Sequence, residues 1–246
     1  MRKILTFLVL LLLVIVLIPG CVAVNISPLG NATVGRGTPE KYEYQVSSFN
    51  KIRVEGHCDI NYYAAPSHSV TLEVQPNLKE LFVIEVIDSE LIIRNTAPIR
   101  VSDGFAPTLT VSLTALNSIN ILGASTFITH DEIATESLSI SISGAGRVNA
   151  EIAVDRLQSS IAGAGSLDLR GSADLANLSL AGAGDIHAFS LQTKEASISI
   201  AGAGLVQISC SENLIVNAQG VGTVEYRGTP EADITRGGLV TISKVD

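Results

Sequence analysis

From Lys41 onward apolar and polar residues alternate in many short stretches, and none of them looks helical. Ile52 and Val54, then Ile60 and Tyr62, flank Gly56. Val70, Leu72 and Val74 alternate with Thr71 and Glu73, and Leu109, Val111 and Leu113 with Thr110 and Ser112. Val83–Ile87 leads through Asp88-Ser89 into Leu91-Ile92-Ile93, which reads as a hairpin or a corner. Period-2 alternation bounded by turn residues predicts strands.

The second half repeats. Gly-Ala-Gly stands at 144–146, 163–165, 182–184 and 202–204; Gly220-Val221-Gly222 continues the series and Gly123-Ala124-Ser125 begins it in degenerate form. The steps between first glycines are 21, 19, 19, 20 and 18 residues. A period of this size with strands in every unit means a solenoid. Aligned on the first Gly, two positions upstream stand Ile142, Ile161, Leu180, Ile200 and Ala218. Four upstream stand Ile140, Ser159, Leu178, Ile198 and Val216. Two after the motif stand Val148, Leu167, Ile186, Val206 and Val224. These columns are expected inside, stacked rung on rung. Ser141, Ser160, Ser179, Ser199 and Asn217, three positions before the Gly, form an outward polar ladder. Each rung is thus a strand, a Gly corner and a second strand. The glycines are expected to serve a sharp turn, often at positive φ, and to avoid collision with the same corner in neighbouring rungs. A phosphate-cradling loop occurs once, before a helix; five copies without a helix are a structural repeat.

The N-terminus differs from the rest. Arg2 and Lys3 precede an apolar run from Ile4 to Ile18, broken only by Thr6, which fits the apolar region of an export signal. Leu17-Ile18-Pro19-Gly20-Cys21 follows, and it resembles the lipobox of bacterial lipoproteins. That resemblance implies that residues 1–20 are a removed signal peptide and that Cys21 is lipidated. An uncleaved anchor from Ile4 to Val24 is long enough to span a bilayer and stays open as the alternative. Both place the remaining chain outside the cytoplasm. Residues 21–40, rich in Gly, Pro, Asn and Thr, read as a flexible tether, and 41–246 as the β domain, with rungs repeating from about 119 to 228.

Composition sharpens this picture. Hydrophobic residues make up 46% of the chain but aromatics only 4%, with no Trp, which suits thin repeated layers of aliphatic side chains. The net charge is −8, and loss of Arg2 and Lys3 with the signal takes it to −10. An acidic surface without a Lys/Arg cluster excludes nucleic acid as a partner. Cys58 and Cys210 lie far apart in sequence and read as two separate thiols in strands.

The export signal, Phe49-x-x-Ile52-x-Val54-x-Gly56-x-x-Asp59-Ile60, then Ser89-Glu90-Leu91-Ile92-Ile93, then serial Ser-Gly-Ala-Gly or Ala-Gly-Ala-Gly rungs together resemble the head GIN domain family over about Lys41–Val245. That family is described as auto-transporter-adhesin-like and is built as a parallel β-helix. The repeat and the resemblance predict an all-β, single-stranded parallel β-helix, expected right-handed, with rungs of about 18–21 residues and Gly-Ala-Gly corners. The resemblance carries no catalytic or ligand residues to transfer.

Parallel β-helices also host enzymes that cut acidic polysaccharides, and on such a scaffold acid–base chemistry would lie in the outward columns. The strongest candidate is the column Asn149, Asp168, His187, Gln207 and Glu225, in which Asp168 and His187 are stacked neighbours. It reads as a solvated polar ladder, lacking a repeated acid, a basic clamp and aromatic walls. His57, His68, His130 and His187 are too spread to hold a metal, and His57-Cys58-Asp59 alternates across a strand. No catalytic residue, metal or cofactor is expected. The expected function is that of an exported, lipid-anchored envelope protein with a non-catalytic binding or structural module. Its expected partners are the membrane, through the lipid, and envelope glycans or surface proteins. A carbohydrate-active enzyme on the same scaffold is the alternative, and a module that stacks with copies of itself a third reading.

Overall fold

The computed structural model describes residues 32–101 and 104–246. Cys21, the expected signal segment and most of the expected tether lie outside them. The unit Thr33–Asp246 is nearly all-β. Its first half holds β1 (Thr33–Val34), β2 (Glu40–Tyr44), β3 (Lys51–Glu55), β4 (Asp59–Ala64), β5 (Ser69–Val74), β6 (Phe82–Ile87), β7 (Glu90–Asn95), β8 (Ile99–Arg100) and β9 (Thr108–Leu113). Then come β10 (Ser118–Ile121), β11 (Thr126–Thr129), β12 (Ile133–Ile142), β13 (Arg147–Ile161), β14 (Ala164–Leu180), β15 (Ala183–Ile200) and β16 (Ala203–Ala218). β17 (Val221–Arg227) and β18 (Glu231–Arg236) form the next rung on β16, and β19 (Leu239–Lys244) stacks on β17 beyond it.

Parallel pairing winds these strands into a β-solenoid of about 7 turns. The registers reproduce the aligned columns. Ile119, Ile140, Ser159, Leu178, Ile198 and Val216 pair in succession, as do Phe127, Val148, Leu167, Ile186, Val206 and Val224. All twelve are buried. Alternation sends every second residue outward, so each rung shares one aliphatic filling with its neighbours while Ser141, Ser160, Ser179 and Ser199 line the outside. The aliphatic stack is the main source of stability, at about 25 cal/mol per Å² of apolar surface removed from water.

The glycines of the corner are there for backbone clearance. A Cβ on Gly144, Gly163, Gly182, Gly202 or Gly220 would lie 1.9–2.1 Å from the carbonyl oxygen of the equivalent glycine one rung back. None of these five has a positive φ, so the turn itself does not demand glycine. The column starts before the recognisable repeat: a Cβ on Gly123 would meet the Gly56 oxygen at 2.0 Å. In the degenerate first copy, Ser125 replaces the second glycine. Its hydroxyl donates to Gly56 O at 3.1 Å and accepts from the Cys58 N–H at 3.2 Å, tying two rungs together.

The N-terminal end departs from sequence order. β3 and β4 stack against β10 and β11 on one side and against β7 and β9 on the other. The segment 51–64 is therefore an inner rung, and the later segment 90–113 lies outside it. Antiparallel strands close this end: β6 on β7, and β5 on β9 with β2 on β5. A 3-10 helix, Pro76–Leu81, buries Leu78 beneath them. The Asp88-Ser89 turn is the hairpin alternative of the sequence reading; both residues have positive φ, 50° and 61°, which matches the twist of a two-residue hairpin. Thr33–Val34, inside the stretch read as a tether, pairs with Ile99–Arg100, and Asn77 bonds the backbone of Val34 and Arg36. Thr33 and Val34 are thus already paired to the β unit, ahead of Lys41.

Candidate functional site

The outward column Asn149, Asp168, His187, Gln207 and Glu225 is a continuous ladder in register. Three of its side chains are bonded from rung to rung. Gln207 Nε2 donates to Glu225 Oε2 at 2.7 Å, and Gln207 Oε1 lies 2.9 Å from His187 Nδ1. A carboxylate only accepts, so Glu225 fixes which end of the Gln207 amide faces it. The amide oxygen is then left for His187, whose Nδ1 must carry a proton. In the neutral ring Nε2 is the free acceptor. At the other end, Arg170 Nη2 donates to Asn149 Oδ1 at 2.6 Å, and Ser166 Oγ approaches Asp168 Oδ2 at 3.5 Å.

A bulge turns this flat ladder into a groove. The Gly182–Gly202 rung is one residue longer than the Gly163–Gly182 rung. The surplus appears in β15, where pairing slips between Asp168/Arg170 on one side and Ala188/Gln192 on the other. A bulge bends its strand and re-aims side chains. Here Phe189 and Ser190 are thrown sideways to wall a groove of about 690 Å³, lined also by Arg147, Arg170, Asp168 and His187. Arg227 lies over the Phe189 ring at 4.1 Å and holds it in place. The expectation that the column lacks a basic clamp and an aromatic wall is corrected. Arg147, Arg170 and Phe189 belong to flanking positions that the column alignment did not include. The one-residue surplus was the signal that could have exposed them.

The other candidates stay apart. His68 Nε2 bonds Phe49 O at 3.0 Å, and His130 stacks on Tyr63 and bonds Asn61. Asp59 Oδ1 accepts the Thr126 N–H at 2.8 Å, and Cys58 points into the core. Burial, with the charge of Asp59, pushes the Cys58 thiol far above its usual range. Cys58 and Cys210 are both buried and unpaired. Among the described residues no group of three or more His, Cys, Asp or Glu side chains is placed to hold a metal, and no helix is long and apolar enough to cross a membrane.

Residues 48–230 match the family model described as "Putative auto-transporter adhesin, head GIN domain". The chain belongs to the head GIN domain family. Solved structures share the fold. A "putative adhesin" from Bacteroides fragilis is 23% identical and aligns with a TM-score of 0.83 over 87% of this chain and 100% of its own. A "Putative lipid binding protein" from Parabacteroides distasonis is 22% identical, with a TM-score of 0.65 over 87% and 100%. A "putative adhesin" from Parabacteroides merdae is 22% identical, with a TM-score of 0.63 over 87% and 99%. No curated protein matches the chain. Within this head GIN domain, the bulged rung and the arginines beside it are one departure from a plain stack of equal rungs.

Proposed function

We propose that this protein is an exported, lipid-anchored cell-envelope protein whose head GIN solenoid acts as a non-catalytic, adhesin-like binding module. The observation that carries the reading is the composition of the groove. Ten residues line it and one, Asp168, is a carboxylate. Hydrolysis of a glycosidic bond ordinarily uses a pair of carboxylates flanking the bond, about 5–9.5 Å apart. Here the imidazole is oriented by an amide, Gln207, and the arginines and hydroxyls around it suit holding rather than cutting. A rigid stack with buried aliphatic columns presents such a groove without any further ordering cost. Support for the anchor comes from the order Arg2-Lys3, apolar run, Gly20-Cys21.

The full-length protein, expressed with its signal, tests both halves of the proposal. Lipidation predicts a mass increase on Cys21, with the first 20 residues gone, and detergent-phase partitioning that Cys21→Ser abolishes. An unprocessed, still membrane-bound Cys21→Ser protein of unchanged partitioning supports the uncleaved anchor instead. Saturable binding to envelope or surface glycans without chain cleavage supports the binding module; cleavage makes the alternative enzyme correct.

A further inference from the structure

We infer that the groove along the bulged rung is a binding site for an acidic saccharide, a sugar chain bearing carboxylates, with Arg147 and Arg170 as the carboxylate receptors and Phe189 as the platform for a sugar ring. The inference deepens the binding-module reading above and rests on it.

Charge placement is the first argument. The chain is acidic overall, at −8. Several basic side chains elsewhere on the solenoid sit against carboxylates, among them Arg53 with Glu90, Arg94 with Glu85, Arg156 with Glu136 and Lys194 with Asp174. Arg147 and Arg170 line the same groove, and among the described residues neither has a carboxylate within ion-pair distance. Arg170 is instead held by the neutral Asn149 oxygen. A guanidinium steadied by an amide keeps its charge for an incoming anion and recognises a carboxylate through two parallel bonds.

The remaining lining argues for a sugar rather than a lipid or a bare ion. Asp168 accepts, Ser166 and Ser190 do both, and His187 offers an oriented Nε2, so hydroxyl groups of a saccharide find donors and acceptors in alternation. The apolar wall consists of Phe189 and Leu169, with Leu169 itself buried in the core. That is enough for one ring face and too little for an acyl chain. The volume of about 690 Å³ lies within the range of small-molecule sites. Arg147 and Ser166 also line a second trough, along the Gly-Ala-Gly corners with His57 and Asp59, so the groove continues across rungs as a chain polymer requires.

The test uses the full-length protein in detergent micelles and calorimetric titration with oligogalacturonate, sialyllactose and heparosan oligosaccharide. Carboxyl-reduced oligogalacturonate and phosphatidylglycerol vesicles serve as comparators. The expected result is saturable binding to at least one acidic saccharide, at least tenfold weaker to the reduced form, and weakened tenfold or more by Arg147→Gln or Arg170→Gln. Phe189→Ala should weaken it too, while Lys194→Gln, on another face, should leave it unchanged. Thermal melts establish that each variant is folded. No binding to any of the three acids, equal binding to the reduced sugar, or binding indifferent to both arginine changes in folded protein overturns the inference. Saccharide binding that depends on residues outside the groove overturns it while leaving the binding-module reading intact. Cleavage of a bound acidic chain, lost in the arginine variants, keeps the site and removes the non-catalytic reading.

Discussion

A Cβ placed on Gly163 would lie 2.1 Å from the carbonyl oxygen of Gly144 in the rung before it. That oxygen cannot withdraw, because it accepts the Ala164 N–H at 3.0 Å. The corner is therefore closed to any side chain at 163, whatever its chemistry. Ala164, the middle residue of the same motif, is exposed. Gly163→Ala is expected to destabilise by about 3 kcal/mol or more, the upper end of overpacking costs, and to lower Tm by roughly 6–12 °C. Ala164→Ser should stay within about ±0.5 kcal/mol. Equal melting temperatures for the two variants would show that the corner yields after all.

Ser159 breaks an otherwise aliphatic column between Ile140 and Leu178. It is 1% exposed, and its hydroxyl has no hydrogen-bond partner. An unmet buried hydroxyl costs about 1–3 kcal/mol, whereas a methyl of similar size costs nothing of the kind. Ser159→Ala is expected to raise Tm by roughly 2–4 °C, the equivalent of about 1 kcal/mol in a chain of this size. A lower Tm would mean that the hydroxyl is satisfied and contributes to the rung.

How much of the fold is legible in the sequence differs from element to element. The columns through Ile142, Val148 and their successors were legible because a period of two and a recurring Gly set the register together. Any slip of one residue would have put every aliphatic side chain in water. The threading of 51–64 between 90–113 and 118–129 was not legible, since alternation marks a strand but not its neighbour. The reason for the corner glycines was half legible. Collision between rungs holds, but a positive φ occurs only at second-position Gly204 and Gly222 and at none of the first-position glycines. The groove was missed because it is made by an exception to the repeat. Aligning columns averages such an exception away, and Phe189 sits in the one surplus position.

Cys58 supplies a pH test. Burial first, then the Asp59 charge, raises its thiol pKa in the folded chain. The unfolded thiol ionises near pH 8.5. A raised folded pKa means that the contribution to stability is complete below the unfolded value and is lost as pH climbs above it. Between about pH 8.5 and 10 the folding equilibrium constant should fall by up to about tenfold per pH unit from this group. Tyr44 and Tyr62, also raised by burial, add to the fall only beyond that window. Cys58→Ala should lower stability at pH 7 but flatten the slope from pH 8.5 to 10, measured by urea denaturation. An unchanged slope would place the alkaline sensitivity elsewhere. The native thiol should also resist a thiol reagent until the chain unfolds.

The last prediction separates holding from cutting in the groove. Asp168 and His187 are register partners on adjacent rungs, so an acid and an imidazole do stand side by side. What they lack is the rest of an acid–base site. The proton on His187 Nδ1 faces an amide oxygen, which cannot stabilise an imidazolium as a carboxylate would. No second carboxylate lines the part of the groove beside Asp168 and His187, and Asp59 in the adjoining trough already accepts the Thr126 N–H. The double variant Asp168→Asn, His187→Asn keeps hydrogen-bonding capacity on a solvent-facing ladder. It should melt within about 0.5 kcal/mol of the parent. It should still bind acidic saccharides, more weakly where the ligand's hydroxyls used Asp168 or His187, since the arginines remain. Neither protein should release new chain ends from polygalacturonate or heparosan over a day's incubation. Chain ends that appear with the parent and vanish with the double variant would make Asp168 and His187 catalytic, and the arginines beside them the clamp of an enzyme.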